Sequence, residues 1–287
     1  MKRFHTVTVR PTIPASKQHL GAFADGDVLF DWTAFNVPRG AHKLVGMQAV
    51  IRGANSTAQT FAVNAYFAKS INGVAPGTLG TIHATANKSA LAAHNYLGAL
   101  QAEEPMASQL DLDNLSILRF AHGDASMKTT IGETGLVLQG EPDSGINVGY
   151  DKLYIGATTP DGAATFSTNV ETTGALDVSA AAAARVDSLD NGAGGTAGCT
   201  AKFVPGDIIH AEDDIILGEI KTVAADELTF KTDGSVVYHG NNEVLFTNPD
   251  GVANWAIQNG ADAAGDLADG DELYNIHPIT LLMSFEM

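Results

Sequence analysis

The sequence predicts a mainly β fold: a jelly-roll-like N-terminal β-sandwich over residues 1–165, an Ala/Gly-rich linker over residues 166–198, and a smaller C-terminal β-barrel over residues 199–287. A recurring turn is the first observation behind it, because a Gly-Asp pair that precedes an apolar stretch passes the chain into a strand. The pairs are Gly26-Asp27, Gly206-Asp207 and Gly270-Asp271, and we expect each glycine to adopt a left-handed backbone angle that a side chain would disfavour and each aspartate to bond to local amides within the turn. The second observation is the short spacing of turn dipeptides such as Asn72-Gly73 and Pro76-Gly77, which is typical of sandwiches and barrels.

In the first module, apolar and polar residues alternate with the period of two that a half-buried strand requires. Phe4 to Arg10 alternates in this way. The turn Pro38-Arg39-Gly40 separates two β-rich runs, of which the second is Lys43 to Arg52. Gln59 to Ser70 is the next predicted strand, with its apolar residues on one face.

Helices are predicted to be scarce. Leu91 to Pro105 contains helix-forming residues, but Asn95 and Gly98 interrupt them, so we expect a strand that ends near Ala102. The best helical candidate is Val178 to Gly192, with Ser179 as N-cap and Gly192 as stop signal. It lies in a stretch dominated by Ala, Gly, Thr, Asp and Ser, whose composition predicts a linker.

The second module contains five short apolar runs separated by turn residues, and a compact barrel of five short strands would satisfy this pattern. The runs are Asp207 to His210, Ile215 to Val223, Glu227 to Lys231, Ser235 to His239 and Glu243 to Thr247. The final run, Ile279 to Met287, is apolar enough for a core strand and is a candidate to return to the first module, since chain ends often lie together.

The net charge is strongly negative, and the charged residues are unevenly placed along the chain. The 287 residues carry a net charge of −17, which argues against nucleic acid as a partner because phosphate neutralisation needs clustered Lys and Arg. Residues 1–52 carry seven basic and three acidic side chains, a local balance of +4. A basic segment beside an acidic body suits docking on an acidic neighbour such as the next copy of the chain, and scattered solvated charge is the alternative.

The start of the chain lacks the continuous apolar core of a signal peptide, and no apolar run reaches the roughly 18 residues of a membrane span. We therefore expect no membrane partner and a protein assembled in cytoplasm. Cys199 is the single cysteine, which excludes an intramolecular disulfide and a thiolate metal cage. The first basic residue after Cys199 is Lys202, so the cysteine has no basic neighbour and a catalytic thiolate is not expected.

No motif predicts catalysis, a cofactor or a metal. The Gly-rich run Asn191 to Gly198 has a G-x-G-x-x-A spacing but does not follow a strand, so we interpret it as a hinge. The nine histidines lack zinc-site spacing. Two acidic groups could supply oxygen ligands for Ca²⁺, but neither has EF-hand spacing, and solvated turn carboxylates are the preferred interpretation. They are Glu212, Asp213 and Asp214, and Asp262, Asp266, Asp269, Asp271 and Glu272.

Three stretches resemble virion structural proteins of tailed phages, especially those of marine hosts. They are FADGDVLFDWTAFNVPRGAHKLVGMQAVIRG from Phe23, NAYFAKSINGVAPGTLG from Asn64, and PGDIIHAEDDIILGEIKTVAADELTF from Pro205. The resemblance implies a non-enzymatic particle component located in the virion, whose partners are other copies of itself and other virion proteins such as the major capsid protein.

Acidity favours the outer head surface over a DNA-filled interior, because like charge repels the genome. The expected role is therefore a capsid decoration or accessory protein that forms a homo-oligomer. A tail, baseplate or fibre component is the first alternative. A carbohydrate-binding β-sandwich is the second, with Trp32, Tyr66 or Trp255 as stacking platforms.

Overall fold

The computed structural model describes residues 3–52, 61–93, 95–102, 109–112, 115–120, 136–143, 147–160, 162, 164–172, 185–186, 189–214, 216–231, 236–239, 243–246, 255–257 and 270–287. Within these residues the chain forms nineteen strands and three one-turn helices, so the prediction of a mainly β fold is confirmed. The helices are α1 (Ala15–Gln18), α2 (Lys88–Leu91) and α3 (Cys199–Lys202). No helix in the described part of the chain is long and apolar enough to cross a bilayer.

Ten strands precede residue 160. They are β1 (Phe4–Val9), β2 (Val28–Pro38), β3 (His42–Arg52), β4 (Val63–Lys69), β5 (Tyr96–Ala102), β6 (Gln109–Leu112), β7 (Leu115–Arg119), β8 (Val137–Leu138), β9 (Glu141–Pro142) and β10 (Tyr150–Thr158). Nine follow it. They are β11 (Arg185–Val186), β12 (Ile208–Ala211), β13 (Ile216–Val223), β14 (Leu228–Phe230), β15 (Val236–His239), β16 (Glu243–Phe246), β17 (Trp255–Ile257), β18 (Leu273–Asn275) and β19 (Ile279–Glu286).

Two antiparallel sheets enclose the first core. The first sheet has the order β1-β19-β3-β7-β6, with β8 also paired to β3, and the second has the order β2-β10-β4-β5, with β9 paired to β10. Inward-facing residues of both sheets form one continuous apolar core, which includes Phe35 of β2 stacked on Phe285 of β19 at a ring-centroid distance of 6.3 Å. The last strand of the chain thus lies between β1 and β3 in the first sheet.

The alternation seen in the sequence becomes alternating rows across the first sheet, since neighbouring residues of a strand face opposite sides. One inward row is Val9, Leu281, Ala49 and Leu118, all of them buried. The next row in register faces outward and contains Thr8, Leu282, Gln48 and Arg119. The period-two pattern therefore fixes which face of each strand meets the core.

A second core lies under a third sheet of order β11-β14-β13-β12-β18. All five apolar runs predicted for the second module contain strands, but they do not pair with one another alone. Three of them, β12 to β14, join β11 and β18, whereas β15 and β16 pair with β17 in a separate three-stranded sheet. The pairing thus differs from the barrel of five consecutive strands drawn from the sequence, because strand pairing depends on non-local contacts that short apolar runs do not specify.

The described ends of the predicted linker are packed. Phe166 lies in the first core and meets Phe23 edge-on at 5.8 Å, while Val170 lies in the second core. Buried and partly buried residues alternate along residues 164–172, and backbone bonds also hold this segment. Glu171 N–H donates to Asp190 O and Asp190 N–H donates to Glu171 O, each at 3.0 Å.

The helix predicted over residues 178–192 is wrong where the structure describes it, because Arg185 and Val186 pair with β14 as strand β11. Residues 173–184 and 187–188 of this region lie outside the described residues. The strand predicted to end near Ala102 is confirmed as β5, and α2 ends before it at Leu91. An uninterrupted Ala run favours a helix locally, so sequence alone gave no sign of the β pairing at its end.

The prediction of left-handed glycines in the three Gly-Asp turns is confirmed, since φ is +79° at Gly26, +95° at Gly206 and +92° at Gly270. The carboxylates of Asp27 and Asp207 accept the backbone N–H three residues earlier, each at 2.9 Å. A side-chain oxygen thereby closes the same turn that the backbone closes. For Asp271 the corresponding residue, 268, lies outside the described residues.

All three turns are also docked on the rest of the protein in the same way. The glycine N–H donates to a carbonyl of another segment, and the N–H of that same residue donates to the carbonyl of the following aspartate. The partner residues are Thr159 for Gly26-Asp27, Ile220 for Gly206-Asp207 and Thr172 for Gly270-Asp271. The Gly-Asp pair is therefore a recurrent docking unit as well as a turn.

Gly206→Ala is expected to lower the free energy of unfolding by about 1 kcal/mol, because a side chain disfavours a positive φ. Space is not the reason, since a Cβ at this position would meet only Glu219 Oε1, at 3.7 Å. The matched control is Gly77→Ala, where φ is not left-handed and a Cβ would meet no atom within 4 Å. Urea denaturation of both variants measures the difference, and equal stabilities would contradict a specified turn.

Candidate functional site

The outward-facing side chains of the first sheet form a broad face with few charges, called here the outer face. Its three central rows are Thr6, Ser284 and Gly46; Thr8, Leu282, Gln48 and Arg119; and Thr280, Val50 and Ile117. In these rows only Arg119 is charged. Leu282 is 41% exposed in the middle row, and Phe4 is 66% exposed at the corner of the face. Interface cores are depleted of charge in this way, and exposed apolar area commonly marks an interaction site.

Charges lie around these rows. Lys43 and Glu286 are in register on neighbouring strands, so opposite charges stand side by side next to Phe4. Arg3 and Arg10, which flank β1, are exposed. The outer face thus has an apolar and hydroxyl-bearing centre and a charged rim.

Part of the positive charge of residues 1–52 is used inside the protein. Arg52 Nη2 donates to Asp207 Oδ1 at 3.0 Å, which joins the first sheet to the second module. Arg39 Nε lies 3.8 Å from the buried carboxylate of Asp151. The exposed basic residues that remain for an acidic neighbour in this segment therefore include Arg3 and Arg10 but not Arg52.

The outward side of the second sheet is partly covered by a loop. Leu79 is fully buried, and it packs so closely over Gly156 of β10 that a Cβ there would overlap with Leu79 Cδ1. Trp32 and Tyr66 pack beside Leu79, and the Trp32 indole N–H donates to Gly77 O at 2.7 Å. Both rings are half-buried and pack against the loop on the sheet. Trp255 belongs to β17, whose side chains lie outside the described part.

The two modules meet along the segment that contains α1. The buried side chain of Gln18 donates to Ile13 O at 2.7 Å and to Asn275 O at 2.9 Å, and so joins this segment to β18. Ser16 Oγ donates to Asp214 Oδ2 at 2.5 Å. The junction is therefore built from the N-terminal segment rather than from the predicted linker alone.

A carboxylate hub lies next to this junction. Glu272 Oε1 accepts hydrogen bonds from Ser167 Oγ at 2.6 Å, Thr168 N–H at 2.6 Å and Asn169 N–H at 2.8 Å. Glu272 Oε2 accepts from the Tyr274 hydroxyl at 2.5 Å. Burial and this bond to Glu272 raise the pKa of Tyr274, so the phenol stays protonated and donates.

Other carboxylates surround the hub. Burial, together with the charges of Glu272, Asp190 and Glu212, raises the pKa of Glu171. His19 Nδ1 lies 3.2 Å from Glu212 Oε2 and 3.2 Å from the Tyr274 hydroxyl. Within the described residues, no group of three or more His, Cys, Asp or Glu side chains is placed to hold a metal ion. The Glu272 carboxylate is satisfied by hydrogen-bond donors of the protein itself.

The predicted acidic groups end in different places. Glu212 and Asp214 lie at the junction, and Glu272 is buried in the hub, which sequence reasoning assigned to a solvated turn. Of the residues in the two acidic groups, Asp262, Asp266 and Asp269 lie outside the described residues. No local signal marked Glu272 as buried, because the amides that it bonds are about a hundred residues away.

Neighbouring side chains already engage several amides of the Gly-rich run. Asn191 Oδ1 accepts from Ala193 N–H at 3.1 Å and from Gly195 N–H at 3.0 Å, and Asp190 Oδ1 accepts from Gly192 N–H at 2.8 Å. Cys199, which follows the run, is fully buried, and burial raises the pKa of its thiol to about 11. The cysteine is therefore a core residue that stays protonated.

A scan of protein-family models and a search of curated proteins both gave no match to this chain.

Proposed function

We propose that this protein is a non-enzymatic structural component of a tailed-bacteriophage virion, most naturally a decoration or accessory protein on the outer surface of the head. Its partners are further copies of the chain and other virion proteins such as the major capsid protein. The observation that carries this proposal is the nearly uncharged outer face of the first sheet, on a chain whose net charge is −17.

The outer face supports assembly for a physical reason. A sheet face that works only as solvent-exposed surface gains solubility from interspersed charges, and this chain has 16 basic and 33 acidic residues to place. Its central rows instead carry Thr, Ser, Gln, Val, Ile and Leu, whose transfer into an interface requires little desolvation of charge. The face is therefore suited to a protein partner.

The contacts that join the two modules support the same role. Two cores are joined by hydrogen bonds and by the Arg52–Asp207 ion pair, so both modules can present their surfaces in a fixed relation. The net negative charge favours the exterior of a DNA-filled head, where repulsion from the genome is absent. A tail, baseplate or fibre component remains the alternative position for the same surface.

Image reconstruction of the source particle, with the chain located by fitting the sandwich, tests the proposal. We expect density on the outside of the head, with the outer face of the first sheet against a neighbouring subunit. Density in the tail would select the alternative position. A particle that lacks the chain would overturn the proposal.

Leu282→Lys is expected to reduce incorporation into particles roughly tenfold, since a lysine in the centre of an interface must lose its hydration. The matched control is Val74→Lys, because Val74 is 69% exposed and lies in a loop away from the first sheet. Both variants are added to particles that lack the chain, and bound protein is quantified after gradient sedimentation. Equal binding by the two variants would remove the outer face from the assembly.

A further inference from the structure

Two histidines lie at one end of the first core with ring nitrogens that lack hydrogen-bond partners. His5 projects inward from β1 and stacks on Phe285 of β19, with ring centroids 5.2 Å apart. His42, at the start of β3, is fully buried and meets His5 edge-on at 4.9 Å. Within the described residues, His5 Nε2 and His42 Nδ1 are both buried and unpaired.

The position of the Nε2 hydrogen of His42 follows from its one hydrogen bond. Its Nε2 lies 2.5 Å from Pro38 O, and a carbonyl can only accept, so Nε2 carries the hydrogen. Nδ1 of the neutral ring then holds a lone pair that meets no donor. A proton added to this pair of rings would create a charge in an apolar environment, beside a second ring that can take another proton.

The charged groups near the pair lie on several neighbouring elements. On β10, Asp151 Oδ2 accepts Gly40 N–H at 3.0 Å, whereas Asp151 Oδ1 is buried without a hydrogen-bond partner in the described part of the chain and lies 3.8 Å from Arg39 Nε in the turn between β2 and β3. On β3 and β19, Lys43 and Glu286 occupy the outward side of the sheet, in register with each other. On β1, Arg3 is exposed. On β2, the side chain nearest in the core is Phe35, which stacks on Phe285.

The position of His5 makes its strand the responsive element. Among the described strands, β1 pairs with β19 alone, so it ends the first sheet and depends on fewer contacts than the central strands. We propose that the buried His5–His42 pair makes the attachment of β1 to the first sheet sensitive to acid. Protonation would release β1 and leave an edge of β19 free to pair with another chain.

The direction of the effect is consistent with burial. Burial, and then the neighbouring His42, lower the pKa of His5 below its ordinary value of 6.5. The detached strand therefore binds protons more readily than the attached one, so the attachment is stable above about pH 6.5 and weakens as the pH falls below it. A neutral pair holds β1 in place.

Amide hydrogen exchange of the intact protein at pH 7.5 and 5.5, corrected for intrinsic rates, tests the proposal. We expect protection of the β1 amides to fall by up to roughly tenfold relative to the central strand β10, because that is the most a detached histidine with the ordinary pKa of 6.5 contributes at pH 5.5. His5→Phe keeps a ring against Phe285 and removes the titrating group, so its β1 protection should be nearly the same at both pH values. His19→Gln, at a histidine outside the pair, should behave as the wild type.

Three results would overturn the proposal. They are unchanged β1 protection in the wild type, an equal loss in β1 and β10, which indicates global opening, and an undiminished loss in His5→Phe. His42→Phe provides a second reading of the same pair if it folds. Where it does not fold, the His5→Phe result alone decides.

Discussion

Glu272→Ala is expected to lower the free energy of unfolding by about 3–5 kcal/mol, because one carboxylate accepts two backbone N–H groups and the hydroxyl of a buried tyrosine. The substitution removes the acceptor of the Thr168 and Asn169 N–H groups and leaves the Tyr274 hydroxyl with His19 Nδ1, at 3.2 Å, as its neighbour. Thr168 and Tyr274 are buried, so water cannot replace the lost acceptor without opening the second module. Chemical denaturation followed by far-UV circular dichroism measures the loss.

Two matched variants separate the hub from the removal of an acidic residue in general. Glu272→Gln keeps an oxygen for the two amides, and the Tyr274 oxygen can accept from the new NH₂ group, so a loss of only about 1 kcal/mol is expected. Asp226→Ala removes an exposed carboxylate of the same module and should stay within about 0.5 kcal/mol of the wild type. If the Glu272→Ala protein is as stable as the Asp226→Ala protein, the hydrogen bonds of Glu272 do not contribute to the free energy of unfolding.

The local elements of this fold were readable from sequence. The alternation of Lys43 to Arg52 predicted β3, and the observed strand, His42–Arg52, differs from it by one residue. The Gly-Asp turns were predicted with their positive φ, because only the local requirements of a turn decide that angle. Where the residues that determine an element lie close together in the sequence, the hydrophobic pattern and the turn chemistry are enough to predict that element.

Pairing between distant segments was not readable. The three-residue strand β18 completes the third sheet, although no periodic pattern marks it, and β11 arises in an Ala-rich stretch that favours a helix. Segment 166–172 resembles a linker in composition, yet bonds between the Glu171 and Asp190 backbones hold it, and its buried positions are set by residues far along the chain. Composition describes which side chains a segment contains, whereas hydrogen bonds to distant backbone groups determine how this segment is held.

The same limit applies to the functional residues. Trp32 and Tyr66 were candidates for stacking because aromatic rings suit sugars, but the loop that places Leu79 on Gly156 could not be foreseen from either residue. The outer face, in contrast, is implicit in the alternation of β1, β3 and β19, since Thr6, Thr8 and Leu282 alternate with core residues. What the sequence lacked was the strand order that brings these residues side by side.

Lowering the pH from 7 to 4 is expected to remove about 2–3 kcal/mol of stability through His210 of β12 alone. The pKa of His210 is lowered to about 4, mainly by burial, with Asp214 opposing the shift and His277 adding to it. The unfolded chain has a histidine pKa near 6.5 and so binds the proton first, which means that stability is fully present above about pH 6.5 and is lost as the pH falls toward 4.

His210→Gln removes this titration while keeping a polar side chain of similar reach. Its unfolding free energy should therefore fall less steeply between pH 6.5 and 4 than that of the wild type, by about 2–3 kcal/mol over the interval. Carboxylates and His5 contribute the same acid dependence to both proteins, so the difference between the two curves isolates His210. His19→Gln is the control, because the His19 side chain is 47% exposed, and its curve should run parallel to that of the wild type. If the His210→Gln curve is also parallel, the folded protein accommodates the His210 proton as easily as the unfolded chain does, and burial of this ring in β12 has no electrostatic cost.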